Sequence, residues 1–547
     1  MEPSRERRWL ITILLAAATT FGFRLDHGLS DLVVDRSIDA LHPATTMAPF
    51  EPGPHGWSLS ALRYPALLFR VVGAAQCAWM FVVHGPDSID ALYADLDRRA
   101  EEVWRSEVDL AQRDAVGERV SELILVGRAV VAAFGLLLVY ALWRWVRSVF
   151  GVEAATIAAA TCSCTPVVVH YVKQLNTDVP YLALAMLGLA FVNEAIASGA
   201  AKRLLAGALC AGLAVGTKDQ AYGLFVGFAP IALWAFARPG ELSEGRKRRL
   251  PGRTIALAIV VGVIPVLLLP GVPFDADWFR AHVAFLRGNG SVPFRQVDAS
   301  FAGIVHLAGM VGRFVVDGVG WPCAVCGGIA AIALARSRPR AVVLIVAPSL
   351  AYFASFLAPI GYVMLRFTLP MQLAAIALTG GGIDALARRG WTRSAAVCAV
   401  LVLGSNAWST VGEFGVLAAT DSRVAAERFV RERYRPEHAI VASLSMNGAD
   451  LLLPSWPRVE ALSPDATRRR APPAPDVLIL SWFLSDMPRD RASFSVESDA
   501  NVDYLGARFV RAREFVPPVR HPIVLGAAVH PVIVVYERVG AFPLVSR

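Results

Sequence analysis

Long apolar segments separated by clusters of basic residues dominate this 547-residue chain. A helix needs about 17 to 25 mostly apolar residues to cross a bilayer, and somewhat fewer where the bilayer is thin. Hydrophobic residues make up 55% of the chain and charged residues only 18%, which is too apolar for an ordinary soluble protein. The sequence therefore predicts a mostly α-helical, polytopic membrane protein with candidate spans at 9–23, 124–143, 152–170, 180–197, 203–217, 221–236, 254–270, 319–335, 341–358, 367–386 and 394–411.

The basic clusters fall on alternate connections between these segments. Lys and Arg concentrate in cytoplasmic loops, so the alternation predicts eleven spans, a cytoplasmic N-terminus and a C-terminus outside the cytoplasm. The net charge of +8 is spread over these loops, and on that ground we exclude a nucleic-acid-binding protein. The clusters are Arg5, Arg7 and Arg8; Arg144 and Arg147; Lys202 and Arg203; Arg246, Lys247, Arg248, Arg249 and Arg253; Arg336, Arg338 and Arg340; and Arg388, Arg389 and Arg393.

Three stretches are predicted to lie outside the cytoplasm: the first loop 24–123, the segment 271–318 and the tail. Within the first loop, 64–83 is apolar enough to span, but a crossing there would reverse every later loop. We therefore expect a helix lying in the outer interface. This organisation predicts a transmembrane module over 1–411 and an extracytoplasmic domain over 412–547.

The tail has a different pattern from the rest of the chain. Ser422 is a suitable capping residue for an amphipathic helix over 422–434. Three short β-rich runs follow, HAIVAS, DVLILSW and HPVIVVYER, each bounded by proline, glycine or charged residues. A helix followed by spaced strands predicts a small α/β domain.

Ionisable residues next to apolar spans are the candidates for function. Asp178 begins the fourth span, Arg128 lies in the second, Lys218 lies between the fifth and sixth, and Arg366 opens the tenth. Taken singly, Asp178 is also explained as a helix cap, Lys218 and Arg366 as interface anchors, and Arg128 as the partner of a structural acid. Lys173 nearby is expected to be a helix-end anchor. Together, a carboxylate and several cations at one depth predict a site for a membrane-bound anion and a neutral nucleophile.

The order of these motifs matches a known pattern. An acidic first loop is followed by "YPALL", "NTDVPYLALAMLGLAF", "GLAVGTK", "LRFTLP" and "DSRVAAERFV". This order resembles the integral-membrane glycosyltransferases of the GT-C class. The branch is family 39-like, with the protein O-mannosyltransferases and lipid A aminoarabinosyltransferases. The resemblance runs along essentially the whole chain and depends on the order of the motifs, because each motif is loose.

The resemblance implies transfer of a sugar from a polyprenyl phosphate to an acceptor outside the cytoplasm, usually with inversion. It implies that Asp35 is the general base and that Asp178 orients the acceptor or the first loop. Lys218, Arg366 and Arg128 match cationic positions near the lipid phosphate. Fixed cations in a poorly hydrated site stabilise the charge that builds on the departing phosphate, and this needs no metal.

One residue departs from the family pattern. Arg36 follows Asp35 where relatives commonly have Glu, so a two-carboxylate or metal-binding site is not supported. The sequence predicts no cofactor besides the lipid-phosphate sugar as co-substrate. Arg36 either pairs with Asp35 and lowers its basicity or reaches the donor phosphate. Asp31 and Asp39 are the alternative bases.

Two other function classes stay open. Because of Arg36, one alternative is a non-catalytic membrane subunit that has the family shape without its activity. A secondary transporter is less favoured, because transporters tend to place ionisable groups near the midplane on broken helices, often in a duplicated pattern. The predicted partners are membrane lipid, the sugar donor, and a glycan, lipid or protein acceptor. The sequence leaves the sugar and the acceptor open.

Overall fold

The computed structural model describes residues 3–26, 46–47, 67–88, 91, 110–237, 250–269, 280, 283–284, 295–418, 422–434, 441–445, 476–482, 501–504, 507–515 and 532–539. The chain forms two compact units. The first takes in the described residues among 1–25, 39–98 and 119–410, and the second those among 26–38, 99–118 and 411–547.

Helices build the first unit. Residues before Asp178 and after Val215 form short irregular connections, which are important for the candidate site described below. The helices that lie wholly or mainly in this unit are α1 (Pro3–Gly22), α2 (Leu67–His84), α3 (Leu110–Val149), α4 (Val152–Ser163), α5 (Pro166–Val172), α6 (Asp178–Ser198), α7 (Ala201–Val215), α8 (Tyr222–Ala237), α9 (Gly252–Leu268), α10 (Phe301–Val319), α11 (Trp321–Ser337), α12 (Pro339–Tyr352, continued by a π-helical turn Phe353–Leu357 and by Ala358–Ile360), α13 (Leu369–Arg388) and α14 (Thr392–Ala418), with 3₁₀ turns at Asp219–Ala221 and Leu365–Thr368.

Each of the eleven predicted spans is helical over most of its length. Among the described residues, 7 helices are long and apolar enough to cross a membrane, and the pair α4–α5, bent by 62°, is an eighth candidate. These helices confirm a mostly helical, multi-pass membrane protein. Eleven crossings and the orientation of the termini stay predictions. The segment 271–318, predicted to lie outside, includes all of α10 except its last residue, and α10 is itself one of the seven.

An ion-pair cluster joins α3, α6 and α7 at one end of the bundle. Arg144 donates to both carboxylate oxygens of Glu194, from Nη2 at 2.8 and 2.6 Å. Arg203 Nη1 lies 3.3 Å from Glu194 Oε2, and Arg147 Nε lies 2.9 Å from Glu6 Oε1 of α1. Several of the basic residues predicted for the cytoplasmic side therefore meet at the end of the bundle opposite the start of α6.

Helix α2 runs along the other end of the bundle. At its start, the Leu67 amide donates to the carbonyl of Gly216, just after α7, at 3.2 Å. At its far end, His84 Nε2 lies 2.9 Å from Glu122 Oε2, and Trp79 Nε1 donates to Glu122 Oε1 at 2.7 Å. Glu122 and Gly216 both lie away from the Arg144 cluster, so both ends of α2 are tied to the same end of the bundle. Helix α2 is itself one of the seven helices long and apolar enough to cross a membrane, so the interfacial position predicted for 64–83 stays a prediction.

Small residues allow close approach between α7 and α9. A Cβ on Gly212 would lie 2.2 Å from the carbonyl oxygen of Gly262. Interhelical packing in membranes depends on such contacts, because the lipid provides no hydrophobic driving force for helix association. The Gly212 position therefore sets how closely α9 packs next to the connection that carries Lys218.

We expect Gly212→Ala to destabilise the protein by about 1 to 3 kcal/mol, because the added methyl group forces the two helices apart. Thermal unfolding in detergent measures the effect. Gly404→Ala in α14 is the matched control, since a Cβ there meets no atom within 4 Å. Equal melting temperatures for the two variants would show that the α7–α9 contact tolerates a methyl group.

The second unit contains the sheet, built from β1 (Val441–Ser445), β2 (Val477–Trp482), β3 (Asn501–Tyr504), β4 (Ala507–Phe515) and β5 (Val532–Arg538). The strand order is β1-β2-β5-β4-β3, with β1 and β2 parallel and the other neighbours antiparallel. The three predicted strands correspond to β1, β2 and β5, and the predicted helix is α15 (Ser422–Arg433).

One face of α15 packs on this sheet. Ala426, Val430 and Tyr434 are spaced by four residues, so they lie on one side of the helix and its C-terminal end. Glu537 of β5 accepts hydrogen bonds from Tyr434 Oη at 2.6 Å and Arg433 Nε at 2.7 Å. The core beneath α15 consists of Val477, Ile479, Ile533 and Val535. The helix packed on a sheet confirms the α/β character predicted for the tail.

Candidate functional site

Asp178 is the first residue of α6 and is buried. Its backbone amide donates to Asn176 Oδ1 at 2.9 Å, which fixes the turn that leads into the helix. Pro180 lies in the first helical turn, where its missing amide proton costs no hydrogen bond. The carboxylate is thus held at a helix N-terminus, where the backbone dipoles favour a negative charge.

Lys218 reaches this carboxylate from the connection after α7. Its own backbone is extended, and its amide donates to the Ala214 carbonyl at 3.0 Å. Nζ of Lys218 lies 2.5 Å from Oδ1 of Asp178, and the side chains of both residues are only 3% exposed. Two residues separated by 40 positions in sequence therefore form a buried, hydrogen-bonded ion pair.

Aromatic rings surround the ammonium group of Lys218. Its Nζ lies 5.7 Å from the ring centroid of Tyr181 and 5.5 Å from that of Phe367. The guanidinium carbon of Arg366 lies 5.6 Å from the same Phe367 centroid. A cation within about 6 Å of a ring is attracted by its quadrupole. Two cations, Lys218 and Arg366, therefore lie close to the ring of Phe367, which belongs to the 3₁₀ turn before α13.

The electrostatic environment of Lys218 combines opposing effects. Burial lowers the pKa of its ammonium group, Asp178 raises it, and Arg366 lowers it further, with a smaller raising effect from Asp219. The net result is a pKa below the ordinary lysine value. Asp178, Lys218, Asp219 and Arg366 are thus electrostatically coupled, and an anion arriving at Lys218 would enter an existing charge network.

Sequence reasoning missed the polar and aromatic neighbours of this pair. Tyr352 at the end of α12 donates to Gln220 Oε1 at 3.3 Å, and its ring centroid lies 5.2 Å from that of Phe356, with the two rings tilted by 50°. Phe356 in turn lies 5.6 Å from Phe367. Two of the missed residues have a local signal, since Tyr181 follows Asp178 by one helical turn and Gln220 follows Lys218 by two positions. Tyr352 and Phe356 have no such signal, because they come from a distant apolar helix.

Arg128 contacts a different part of the chain. Its guanidinium donates from Nη1 to the backbone carbonyl of Leu25 at 2.9 Å, and Arg128 is only 1% exposed. Lys173, expected to be a helix-end anchor, is equally buried and donates to the carbonyl of Phe23. Both cations therefore bind the backbone that follows α1. The phosphate-binding role predicted for Arg128 stays a prediction.

The remaining predicted site residues, Asp35 and Arg36, lie outside the described residues, as do the alternative bases Asp31 and Asp39. Within the described ranges, no group of three or more His, Cys, Asp or Glu side chains is placed to hold a metal ion. The structure thus brings together Asp178, Lys218 and Arg366, which the sequence predicted to converge.

The segment 120–268 matches the family model of dolichyl-phosphate-mannose-protein mannosyltransferases. It includes Arg128, Asp178 and Lys218. This match confirms, over that segment, the resemblance to the protein O-mannosyltransferase branch of membrane glycosyltransferases. No curated relative matches the sequence.

Three solved structures are similar to this chain. ArnT from Cupriavidus metallidurans in the apo state is 15% identical, with 97% of this chain and 98% of that chain covered and a TM-score of 0.47. The same protein bound to undecaprenyl phosphate is 14% identical, with coverages of 96% and 98% and a TM-score of 0.47. The apo oligosaccharyltransferase of Archaeoglobus fulgidus is 12% identical, with coverages of 79% and 59% and a TM-score of 0.42.

Proposed function

We propose that the protein is a membrane glycosyltransferase that moves a sugar from a polyprenyl-phosphate donor to an acceptor on the extracytoplasmic side, with inversion. The observation that carries the proposal is the buried Asp178–Lys218 ion pair, with Arg366 on the same aromatic ring as Lys218. The family match over 120–268 supports it, because that segment contains both members of the pair.

In this mechanism Lys218 and Arg366 face the phosphate of the donor. When the bond between the anomeric carbon and the phosphate oxygen breaks, negative charge builds on the polyprenyl phosphate that leaves. Preorganised cations in a poorly hydrated site stabilise this charge and require little reorganisation during the reaction. The aromatic rings of Tyr181 and Phe367 exclude water from Lys218 and so strengthen its interaction with an anion.

The acceptor side of the reaction is assigned to carboxylates. Asp35 accepts the proton of the acceptor hydroxyl as its oxygen attacks the anomeric carbon. Asp178, whose carboxylate is already bound by Lys218, orients the acceptor or the first loop. Arg36 and Arg128 are further candidates for the lipid phosphate. No step of this scheme requires a metal ion, and the membrane provides the isoprenoid donor.

The test is a transfer assay in proteoliposomes with radiolabelled polyprenyl-phosphate sugars. We expect wild-type protein to release labelled product from at least one donor. We expect Arg366→Met to lower kcat/KM by roughly 10²- to 10³-fold, the loss typical of a removed transition-state electrostatic contact. Arg340→Met, at the start of α12 and exposed, is the matched control and should transfer at the wild-type rate. Absence of transfer with every donor tried would favour the non-catalytic subunit.

A further inference from the structure

Two buried cations converge on the backbone that immediately follows α1. The helix ends at Gly22, and the next carbonyls accept hydrogen bonds from Lys173 Nζ at Phe23 and from Arg128 Nη1 at Leu25. Arg24, between them, has a positive φ of 53°, the left-handed conformation that non-glycine residues seldom adopt. These contacts bind both residues that flank Arg24.

The hydrogen bonds from Lys173 and Arg128 do more than cap the C-terminus of α1. Carbonyls at a helix C-terminus lack intrahelical donors, and cations nearby are favoured by the dipole. A glycine in the left-handed position would end the helix at lower cost. Instead, two cations, each 1% exposed, hold this bend. Burying an ionic group is costly unless strong contacts compensate, so the direction of the bend is tightly specified.

The same contacts connect the bend to Asp178. Lys173 directly follows α5 and starts the short connection to α6, in which the amide of Asp178 donates to Asn176 Oδ1 at 2.9 Å. Every residue from Lys173 to Asp178 is buried. A displacement of the backbone at Phe23 would therefore reach the start of α6 through the short, fully buried segment 173–178.

We propose that Arg128 and Lys173 are positioning residues that hold the start of the first loop, directly after α1, in register with Asp178. This assignment rests on the proposed function. It gives Arg128 a role in orienting the loop in place of a contact with the lipid phosphate, and it gives Lys173 a role that the sequence did not suggest.

Steady-state kinetics with the lipid donor test the assignment. We expect Arg128→Met and Lys173→Met to lower kcat by about 10- to 100-fold, the scale of a misplacement near 1 Å, with the donor KM unchanged. Arg128→Lys and Lys173→Arg keep a donor for the same carbonyl and should recover most of the loss. Arg147→Met, on α3 in an ion pair with Glu6 at the other end of the bundle, should leave kcat at the wild-type value.

Tryptic cleavage provides a readout that does not depend on activity. Trypsin cuts after Arg24, at the peptide bond that lies between the two bound carbonyls. In detergent-solubilised protein we expect both methionine variants to be cleaved there at least several-fold faster than wild type, while Arg147→Met is cleaved at the wild-type rate. Mass spectrometry of the N-terminal fragment identifies the site.

The kinetic and cleavage results distinguish a positioning role from a phosphate-binding role. A raised donor KM with unchanged kcat and unchanged cleavage after Arg24 would make Arg128 a phosphate ligand and overturn the assignment. Wild-type cleavage rates in both variants would overturn it as well, whether or not transfer is detected. A wild-type protein that transfers no sugar but shows faster cleavage in the variants would refute the proposed function while leaving the loop contact in place.

Discussion

Lys218→Met is expected to destabilise the protein by about 3 to 5 kcal/mol, because it leaves Asp178 as a buried charge without its partner. Asp178→Asn is expected to destabilise the protein by a similar amount, because it leaves Lys218 as a buried charge without its carboxylate partner. The double variant Asp178→Asn/Lys218→Met should recover most of the loss, since neither charge then remains in the interior. Thermal unfolding in detergent, followed for the four proteins of the cycle, measures the coupling between the two residues.

Transfer activity should not follow the same pattern. We expect all three variants to lose transfer by roughly 10²- to 10³-fold. Two of them lack the lysine that stabilises the charge on the leaving phosphate, and Asp178→Asn lacks the carboxylate that is assigned to orient the acceptor or the first loop. Recovery of stability without recovery of activity would separate the structural role of the ion pair from its chemical role. A double variant that transfers sugar at the wild-type rate would remove Lys218 from the mechanism.

An exposed ion pair is the matched control for the stability measurement. Arg511 Nη1 lies 2.8 Å from Glu514 Oε2 on β4, and both side chains are 36% exposed. Pairs of this kind contribute about 0.2 to 1 kcal/mol. Arg511→Met should therefore change the melting temperature much less than Lys218→Met. Additive losses in the Asp178/Lys218 cycle would contradict a coupled pair.

The parts of the fold that the sequence predicts correctly are those with a simple period or a strong composition. Long apolar runs predict the helices, and alternating charge clusters place Asp178, Lys218 and Arg366 at one end of the bundle. The structure confirms that these three residues come together. This prediction succeeds because the depth of a residue in a membrane follows from its position along a span.

Rotation about a helix axis is much harder to predict than depth. Tyr352 and Phe356 lie in a helix that is apolar all round, so no periodicity marks the face that meets Phe367. The sequence does not predict α10 as a span, since four glycines and the Arg313–Asp317 pair weaken its apolar pattern.

A similar loss of pattern explains the missed hairpin β3–β4. Strand β4 contains an irregularity between Arg511 and Arg513 in its pairing with β5. Such a bulge shifts the side chains that follow it to the other face and breaks the two-residue alternation by which strands are predicted. The charged residues of this strand also interrupt any continuous apolar run of the kind that marks β2 and β5.

Asp35→Asn is expected to lower kcat by roughly 10²- to 10⁴-fold, the contribution of a positioned general base. The amide keeps the size and shape of the carboxylate but does not accept the proton of the acceptor hydroxyl. The donor KM should change little, since the phosphate is assigned to Lys218 and Arg366. Single-turnover transfer in proteoliposomes, with saturating donor and acceptor, measures the chemical step directly.

The same loop supplies the controls that decide which acid is the base. Asp31→Asn and Asp39→Asn remove carboxylates four residues before and after Asp35, so equal losses in all three would indicate a general charge effect. A large loss at Asp31 or Asp39 with normal transfer by Asp35→Asn would move the base to that residue. Arg36→Glu creates the Asp-Glu pair that the family resemblance implies at this position; faster transfer by this variant would mean that Arg36 restrains Asp35. If Arg36→Glu is active where wild type is not, the natural chain is a non-catalytic subunit whose loss of activity is due to this one position.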